Sequence, residues 1–442
     1  MSVTPLHPEP PPSQPPQVAA GATERTHGQP PRVAFFVTVD WYFHHHYRGL
    51  AAAVQAAGYR VAVITGVEDH GERLRACGFE VIPFAISRQG MHPLRELAAV
   101  WRLYRLLRRL RPELLHCIAQ KPVLYGALAA RLAGTPALIA ALPGFGWLFS
   151  ARVWQARLGR RLVLLGYRLL LRRPGAQVLV QNRTDQAELL ALAGVRAHLI
   201  PGSGVDLERF VPRLPAPGPV TVMLASRLLW DKGVGELVAA ARLLRARGLA
   251  FRCCLLGAPD AGNPASVSAD ELLAWQAEGA IEWWGRREDM PAVLAQAHIA
   301  CLPSYYREGI PKFLLEGAAC GLPLVTTDLP GCRDVVEPGG NGLLVPPRDA
   351  PALAAALATL IADPDLRARL GRRSRAIAEA RFGEDRLAAE VLALYRQLYP
   401  HRYPHRAAAG RRTGGSVGPS STEPATGTGD ADGRERDPAS RP

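Results

Sequence analysis

The strongest constraint on the fold is an alternation of short apolar runs with helical stretches, which occurs twice along the chain. Runs such as Val33–Val37 and Leu114–Cys117 contain few polar residues, as expected for parallel strands that are buried on both faces. The stretches between them, such as Leu94–Leu110, have the apolar spacing of amphipathic helices. This order predicts an α/β fold with doubly wound parallel sheets.

A proline-rich break divides the two alternations. Residues 211–219 (VPRLPAPGP) have no periodicity and are interpreted as a linker. The sequence therefore predicts two Rossmann-like domains facing across a cleft, at 32–210 and 220–385, and a helix at 386–400 that crosses back to the first domain. Residues 1–31 and 401–442 have compositions that cannot bury a core, and we expect a disordered leader and tail.

Composition narrows the class of protein further. The chain has 442 residues, of which 48% are hydrophobic, enough for more than one core. Its seven cysteines form no CxxC pair, which suggests neither a zinc knuckle nor a disulfide framework and favours a reducing cytoplasm. No window reaches the ~18–20 apolar residues of a membrane span, and the leader lacks the apolar stretch of a signal peptide.

Basic residues are concentrated in the first domain. The net charge is +14, and residues 95–173 contain 15 Lys or Arg against two acids. These residues fall on amphipathic helices opposite Leu and Val, as Arg102, Arg105, Arg109, Arg157, Arg161, Arg168 and Arg172. We expect peripheral contact with the anionic inner face of the cytoplasmic membrane. The alternative is a solvated surface; nucleic-acid binding is not expected, because no aromatic stacking platform is evident.

Two glutamates bracket a predicted helix N-terminus in the segment SYYREGIPKFLLEGAACG. Glu308 follows a strand and Glu316 lies about two turns down the next helix, at the sheet edge where open α/β folds bind ligands. Carboxylates there accept hydrogen bonds from vicinal hydroxyls, so Glu308 is expected to hold a hexose and Glu316 a ribose. The alternative is a pair of ordinary helix-cap acids.

Two cations follow another strand at the same edge, in ASRLLWDKG. Arg227 and Lys232 can clamp a diphosphate and neutralise it as it leaves, without a divalent ion. The alternative is a solvated loop pair. The two Asp-x-Asp segments, at 363–365 and 430–432, do not follow strands, so we expect no metal and no cofactor.

These segments, with IPGSGVDLERF, resemble glycosyltransferase family 4, a family of retaining enzymes with the two-Rossmann GT-B fold. The resemblance implies a hexosyltransferase in which Arg227 and Lys232 contact the donor diphosphate, Glu308 the sugar and Glu316 the nucleotide ribose. It also implies backbone N–H groups of Gly309 and Ile310 beside the sugar. The expected donor is a UDP-linked hexose or N-acetylhexosamine, and no protein nucleophile is implied.

The opening of the first domain, DWYFHHHYR, is similar to bacterial family members that extend polyprenyl-diphosphate-linked or lipopolysaccharide-type saccharides. Asp40 and His46 are therefore candidate contacts to the acceptor or the sugar, although His46 could equally be a solvated or structural histidine. Gly144 is a further candidate, because the loop Gly144-Phe145-Gly146 lacks the third glycine of a dinucleotide fingerprint and is interpreted as lying beside the acceptor cleft. The run His44 to His46 is not predicted to bind metal, because adjacent side chains point apart and no carboxylate is spaced to assist.

Two other functions remain compatible with the fold. One is a non-catalytic scaffold that binds sugar nucleotides, which degraded cations or glutamates would favour. The other is a nucleotide-sugar epimerase built on the same two domains, against which the SYYREGIPKFLLE segment argues. Identification of the sugar, the acceptor and the linkage depends on a few side chains that spacing does not reveal.

Overall fold

The computed structural model describes residues 30–87, 92–146, 154–214, 217–260 and 262–398. Most of the predicted leader and the whole predicted tail lie outside these residues. Of the predicted linker, 211–214 and 217–219 are described and have no helix or strand.

The first domain contains a seven-stranded parallel sheet in the order β3-β2-β1-β4-β5-β6-β7. Its strands are β1 Arg32–Val39, β2 Arg60–Gly66, β3 Glu80–Pro83, β4 Leu114–Ile118, β5 Ala137–Leu142, β6 Ala176–Val180 and β7 His198–Leu199. The described helices are α1 Asp40–His46, α2 Arg48–Ala56, α3 Gly71–Ala76, α4 Pro93–Leu110, α5 Gln120–Ala133, α6 Trp154–Leu170 and α7 Arg183–Ala193.

The second domain contains a six-stranded parallel sheet in the order β10-β9-β8-β11-β12-β13. Its strands are β8 Val220–Ala225, β9 Phe251–Leu256, β10 Glu282–Trp283, β11 Ile299–Leu302, β12 Leu324–Thr327 and β13 Gly342–Val345. After a 3₁₀ turn at Trp230–Lys232 come α8 Val234–Ala246, α9 Ala269–Ala277, α10 Met290–Leu294, α11 Lys312–Ala319, α12 Ala350–Ala362, α13 Pro364–Arg381 and α14 Glu384–Leu398. The predicted fold class is confirmed.

Each sheet is buried on both faces, which explains the continuous apolar runs in its strands. All five residues of β4 and all four of β11 are buried. Separate clusters of buried side chains cover the two faces of the first sheet, and one large cluster surrounds the second sheet. Among the described helices, none is long and apolar enough to cross a lipid bilayer.

The last helix, α14, packs against the first domain although it follows the second in sequence. It lies on α2, and its Leu387, Val391 and Tyr395 side chains are buried among first-domain residues. The Tyr395 hydroxyl is 2.6 Å from Nδ1 of His116 on β4. The chain therefore crosses the cleft a second time, at a helix that begins at Glu384 and not at the expected residue 386.

The segment after β1 differs from the sequence analysis, which assigned it no helix. Residues Asp40–His46 form α1, directly continuous with β1. Phe43 is fully buried against Phe35, with ring centroids 5.3 Å apart. Burial of this aromatic side chain compensates for the poor helix propensity of a run of aromatic and histidine residues.

Candidate active site

The second domain offers a crevice at the carboxyl end of its sheet. β8 and β11 are neighbours, and the chain leaves them toward opposite sides of the sheet, so the loops after them diverge at a topological switch point. Arg227 and Lys232 follow β8, and Glu308 follows β11. The sheet thus brings the predicted cations and the first predicted glutamate to one edge.

Lys232 and Glu308 form an ion pair in this crevice. The pair joins Lys232 Nζ to Glu308 Oε1, and the two side chains are only 13% and 12% exposed. Ser304, which is fully buried, donates its hydroxyl proton to the same carboxylate oxygen at 3.0 Å. Lys232 and Ser304 thus both contact the Glu308 side chain, and the sequence analysis did not identify Ser304.

The close approach of the two loops depends on Gly233. Its φ is +76°, and a Cβ there would lie 2.1 Å from the Pro303 carbonyl oxygen. Only glycine allows this backbone to approach so closely. Gly233 thus lets the end of the 3₁₀ turn bring Lys232 against the loop that carries Glu308.

Arg227 and Glu316, the other two predicted donor contacts, have partners and surroundings of their own. Arg227 forms an ion pair with Asp260 at 2.9 Å and keeps 40% of its side chain exposed. Glu316 lies in the second turn of α11, where burial raises the pKa of its carboxyl against the opposing charges of Lys312 and Arg209. A hydroxyl donor at Glu316 would find a carboxylate with few competing water molecules.

Two first-domain side chains from α1 face the second-domain loops that carry Lys232 and Glu308. The rings of Tyr42 and His46 stack with centroids 4.4 Å apart, and His46 Nδ1 lies 3.3 Å from the Ser203 hydroxyl. Burial, followed by the charge of Glu308, raises the pKa of Tyr42. Burial, followed by nearby cations that include Lys312, Lys232 and Arg227, lowers the pKa of His46 well below its usual range. The imidazole is therefore neutral.

A first-domain segment after β6 clamps the loop that carries Glu308. Gln181 Oε1 accepts the backbone N–H of Ile310 at 2.9 Å, so this N–H, expected beside the sugar, is occupied in this conformation. Asn182 donates to the Glu308 carbonyl oxygen at 3.4 Å. Arg307 pairs with the fully buried Asp185 at 2.7 Å and with Glu188 at 2.9 Å.

Backbone packing at Gly144 and Gly309 shows how closely the domains approach. A Cβ on Gly144 would lie 2.7 Å from the Gly309 nitrogen, and a Cβ on Gly309 would lie 1.7 Å from the Pro143 carbonyl oxygen. The Gly144 loop therefore lies directly against the loop that carries Glu308 and Gly309. Tyr306, Arg307 and Gln181 belong to the same contact region; the first two stand inside the SYYREG segment, but no sequence signal marked Gln181.

Asp40, a candidate acceptor contact, lies buried at the start of α1. One carboxylate oxygen accepts the Trp41 N–H at 2.8 Å, and the other accepts the N–H groups of Glu68 at 3.0 Å and His70 at 2.8 Å. Its side chain has no exposed surface. In this structure Asp40 fixes the loop after β2 against α1.

A largely apolar cavity opens beside His46. It has a volume of about 40 Å³ and lies between the ends of β4 to β6 and α14. His46, Ser203, Gln181 and Glu384 supply its polar groups.

Two Rossmann-like domains of this topology form the GT-B fold. Residues 32–153 match the family described as glycosyl transferase 4-like, and residues 219–363 match the family described as glycosyl transferases group 1. Together the matches cover more than half of the chain. The chain therefore belongs to the glycosyl transferases that these two families describe.

Similar proteins extend the comparison over most of the chain. The N,N'-diacetylbacillosaminyl-diphospho-undecaprenol alpha-1,3-N-acetylgalactosaminyltransferase of Campylobacter jejuni is 26% identical over 380 residues, which are 82% of this chain and 98% of the relative. Sucrose-phosphate synthase from Thermosynechococcus elongatus superposes with a TM-score of 0.69 at 21% identity, over 84% of this chain and 100% of that one. Anabaena HepE in complex with UDP-glucose gives 0.69 at 20% identity, over 83% and 99%.

Proposed function

We propose that the protein transfers a hexose or N-acetylhexosamine from a UDP-sugar, with retention of anomeric configuration, to a lipid-linked or polysaccharide acceptor. The observation that carries this proposal is the buried Lys232–Glu308 pair at the switch point of the second sheet. The pair lies under the loop that Gln181 binds from the first domain. A donor held there would react inside the cleft.

In this proposal the leaving diphosphate is neutralised by protein cations. Lys232 and Arg227 bind its oxygens, and their charge lowers the free energy of the developing diphosphate. Glu308 accepts a hydrogen bond from a hydroxyl of the sugar, and Glu316 accepts hydrogen bonds from the ribose. No divalent ion and no cofactor takes part in the transfer step.

The surroundings of Asp40, the acidic residue directly after β1, support retention. The Asp40 carboxylate is fully buried and accepts three backbone N–H groups, so an acceptor hydroxyl cannot reach it in this conformation. His46, which is neutral, lies nearer the donor loops and positions the acceptor or the sugar. The acceptor then approaches on the face from which the diphosphate leaves.

The proposed donor and acceptor follow from the similar proteins. The Anabaena neighbour holds UDP-glucose, and the Campylobacter relative transfers N-acetylgalactosamine to an undecaprenol-linked diphosphate saccharide. In this proposal the acceptor binds on the first-domain side of the cleft, near His46.

We also propose that the first domain lies on an anionic membrane surface. On α4, Leu94, Leu97 and Trp101 are 74%, 66% and 58% exposed at helical spacing. The exposed residues Leu158, Leu162, Leu165 and Leu169 form a similar stripe on α6. The exposed arginines of the two helices flank these stripes, as expected for amphipathic helices that bind the inner face of the cytoplasmic membrane.

The proposed reaction is tested with a panel of UDP-, GDP- and dTDP-sugars and a bacterial membrane extract, by measuring nucleotide release and the anomeric configuration of the product. We expect release from a UDP-sugar that requires the extract and is equal with and without added Mg²⁺ or Mn²⁺. Glu308→Gln should lower the rate by about 10²–10³-fold, the usual cost of removing one group that stabilises the transition state.

Glu337→Gln is a matched control, because Glu337 is also paired with a cationic side chain, that of Arg373, but its own side chain is 42% exposed. It should leave the rate unchanged. Nucleotide binding without release from any donor would support the scaffold. Epimer formation without acceptor would support the epimerase, and an inverted product would refute retention.

A further inference from the structure

Three histidines of the first domain converge outside the donor site. His44 and His45 lie on α1, and His70 immediately precedes α3, where it caps the helix. Their ligand atoms all lie within 4.8 Å of one another. The sequence argument against metal considered only the adjacent residues 44–46, whereas the fold adds His70 from the loop after β2.

The spacing of the three rings matches the spacing around a metal ion. Their centroids are 5.2 Å apart for His44 and His45, 4.9 Å for His44 and His70, and 5.3 Å for His45 and His70. With zinc–nitrogen bonds of about 2.0–2.1 Å and tetrahedral angles, imidazole centroids should lie about 5.2 Å apart. The interplanar angles of 89°, 47° and 65° show that the rings are not stacked face to face.

His70 provides a second, independent observation. It is 1% exposed, and within the described parts of the chain neither of its ring nitrogens has a hydrogen-bond partner. Nδ1 of His44 is also buried and lacks a described partner. Buried imidazole nitrogens are normally satisfied, and a metal ion would bind one lone pair of each ring.

The surrounding charges are balanced. Arg73 and Arg286 lie in the same pocket as His70, but Arg73 pairs with Glu288 at 2.7 Å and Arg286 lies 3.8 Å from Asp69. The two carboxylates offset the two cations beside the histidines.

We infer that His44, His45 and His70 form a binding site for a divalent transition-metal ion such as zinc, separate from the donor site. Imidazole nitrogens suit this class of ion, and three protein ligands leave one position for water. The ion would join α1, which carries Tyr42 and His46, to the start of α3. It would therefore brace the cleft wall beside the Arg73–Glu288 ion pair between the domains.

The test measures metal binding and not activity, so its outcome is independent of the proposed reaction. Full-length protein without a histidine tag is freed of metal with a chelator and titrated with zinc against a chromogenic competitor. We expect one tight site per chain, imidazole nitrogen in the zinc X-ray absorption spectrum, and a higher melting temperature with zinc.

His45→Gln changes an exposed ligand and should weaken zinc binding by at least about 100-fold, because loss of an outer partner alone costs roughly 10–100-fold. His70→Asn should weaken zinc binding to a similar extent. Because His70 is buried and its replacement could impair folding, the exposed His45→Gln provides the decisive variant. His92→Gln changes another exposed histidine and should bind zinc like the wild type. Equal affinity in His45→Gln and wild type, or thiolate sulfur in the spectrum, would overturn the site.

Discussion

The two walls of the cleft are built on similar sheets but carry different chemistry. The second-domain wall is ionic: Lys232 pairs with Glu308, and Arg227 pairs with Asp260. The first-domain wall presents a neutral imidazole, a phenol and an amide, from His46, Tyr42 and Gln181. A diphosphate needs compensating charge, whereas an acceptor hydroxyl needs position. In the proposed reaction, the same sheet topology therefore binds a charged diphosphate on the second-domain side and positions the acceptor hydroxyl on the first-domain side.

The largest expected effect tests whether charge makes the main contribution to the rate on the second-domain wall, called the donor wall because the donor is proposed to bind there. Lys232→Met should lower kcat/KM by about 10³-fold, because the diphosphate loses a preorganised cation in a cleft with little water. His46→Asn should lower it by only about 10-fold, because it removes a positioning contact. Steady-state rates with the same donor and acceptor compare the two variants. If the losses are equal, the contrast between the walls fails.

The next effect concerns the contact that joins the walls. Arg307→Met leaves Asp185, which is fully buried, without its cation, and should lower the free energy of unfolding by about 3 kcal/mol. Arg373→Met breaks an exposed pair with Glu337 and should cost under about 1 kcal/mol. Urea denaturation measures both. Adding Asp185→Asn to Arg307→Met should recover much of the loss; no recovery would exclude the buried charge as its cause.

A pH dependence is expected from the first domain at His116. Burial lowers the pKa of His116 to about 3, below its value in the unfolded chain, so the folded state favours the neutral ring. Its contribution to stability is complete above pH 6.5 and is lost as the pH falls toward 3, at about 1.4 kcal/mol per pH unit. Wild-type protein should lose about 2 kcal/mol more than His116→Gln between pH 7 and pH 5. Parallel curves in urea denaturation would contradict this assignment.

The smallest expected effect compares the outer surfaces of the two domains. Trp101→Ser should weaken binding to vesicles that contain anionic lipid by roughly fivefold, because an exposed aromatic side chain of α4 no longer enters the interface. Leu273→Ser alters a leucine of the second domain that is 52% exposed and should leave binding unchanged. Vesicle co-sedimentation measures both. An equal loss in the two variants would show that the basic helices do not provide the contact.

Much of the donor wall was predictable because its groups lie close together in sequence. Glu308 and Ile310 are separated by one residue, and Arg227 and Lys232 lie in one short loop after a recognisable strand. Once parallel strands are predicted, their carboxyl ends must meet at one edge, so Lys232 and Glu308 were expected at the same edge of the sheet. The ion pair between them and the hydrogen bond from Ser304 were not predicted.

The first-domain wall was less predictable because its partners are distant in sequence. Gln181 contacts Ile310 across 129 residues, and Arg307 contacts Asp185 across 122. Glutamine after a strand has no distinctive pattern, and α1 was not identified as a helix because aromatic and histidine residues have weak helix propensity. Tertiary packing of Phe43 determined that helix.

By itself, the sequence determined the class of fold, the two alternating domains, and the chemical character of the donor loops, because apolar periodicity and local motifs are properties of neighbouring residues. Only the tertiary structure decided that Asp40 is enclosed by backbone N–H groups, that Gly144 lies against Gly309, and that His70 joins His44 and His45. Each of these outcomes depends on which segments the sheets bring together, and a contact between distant segments leaves no spacing in the chain that encodes it.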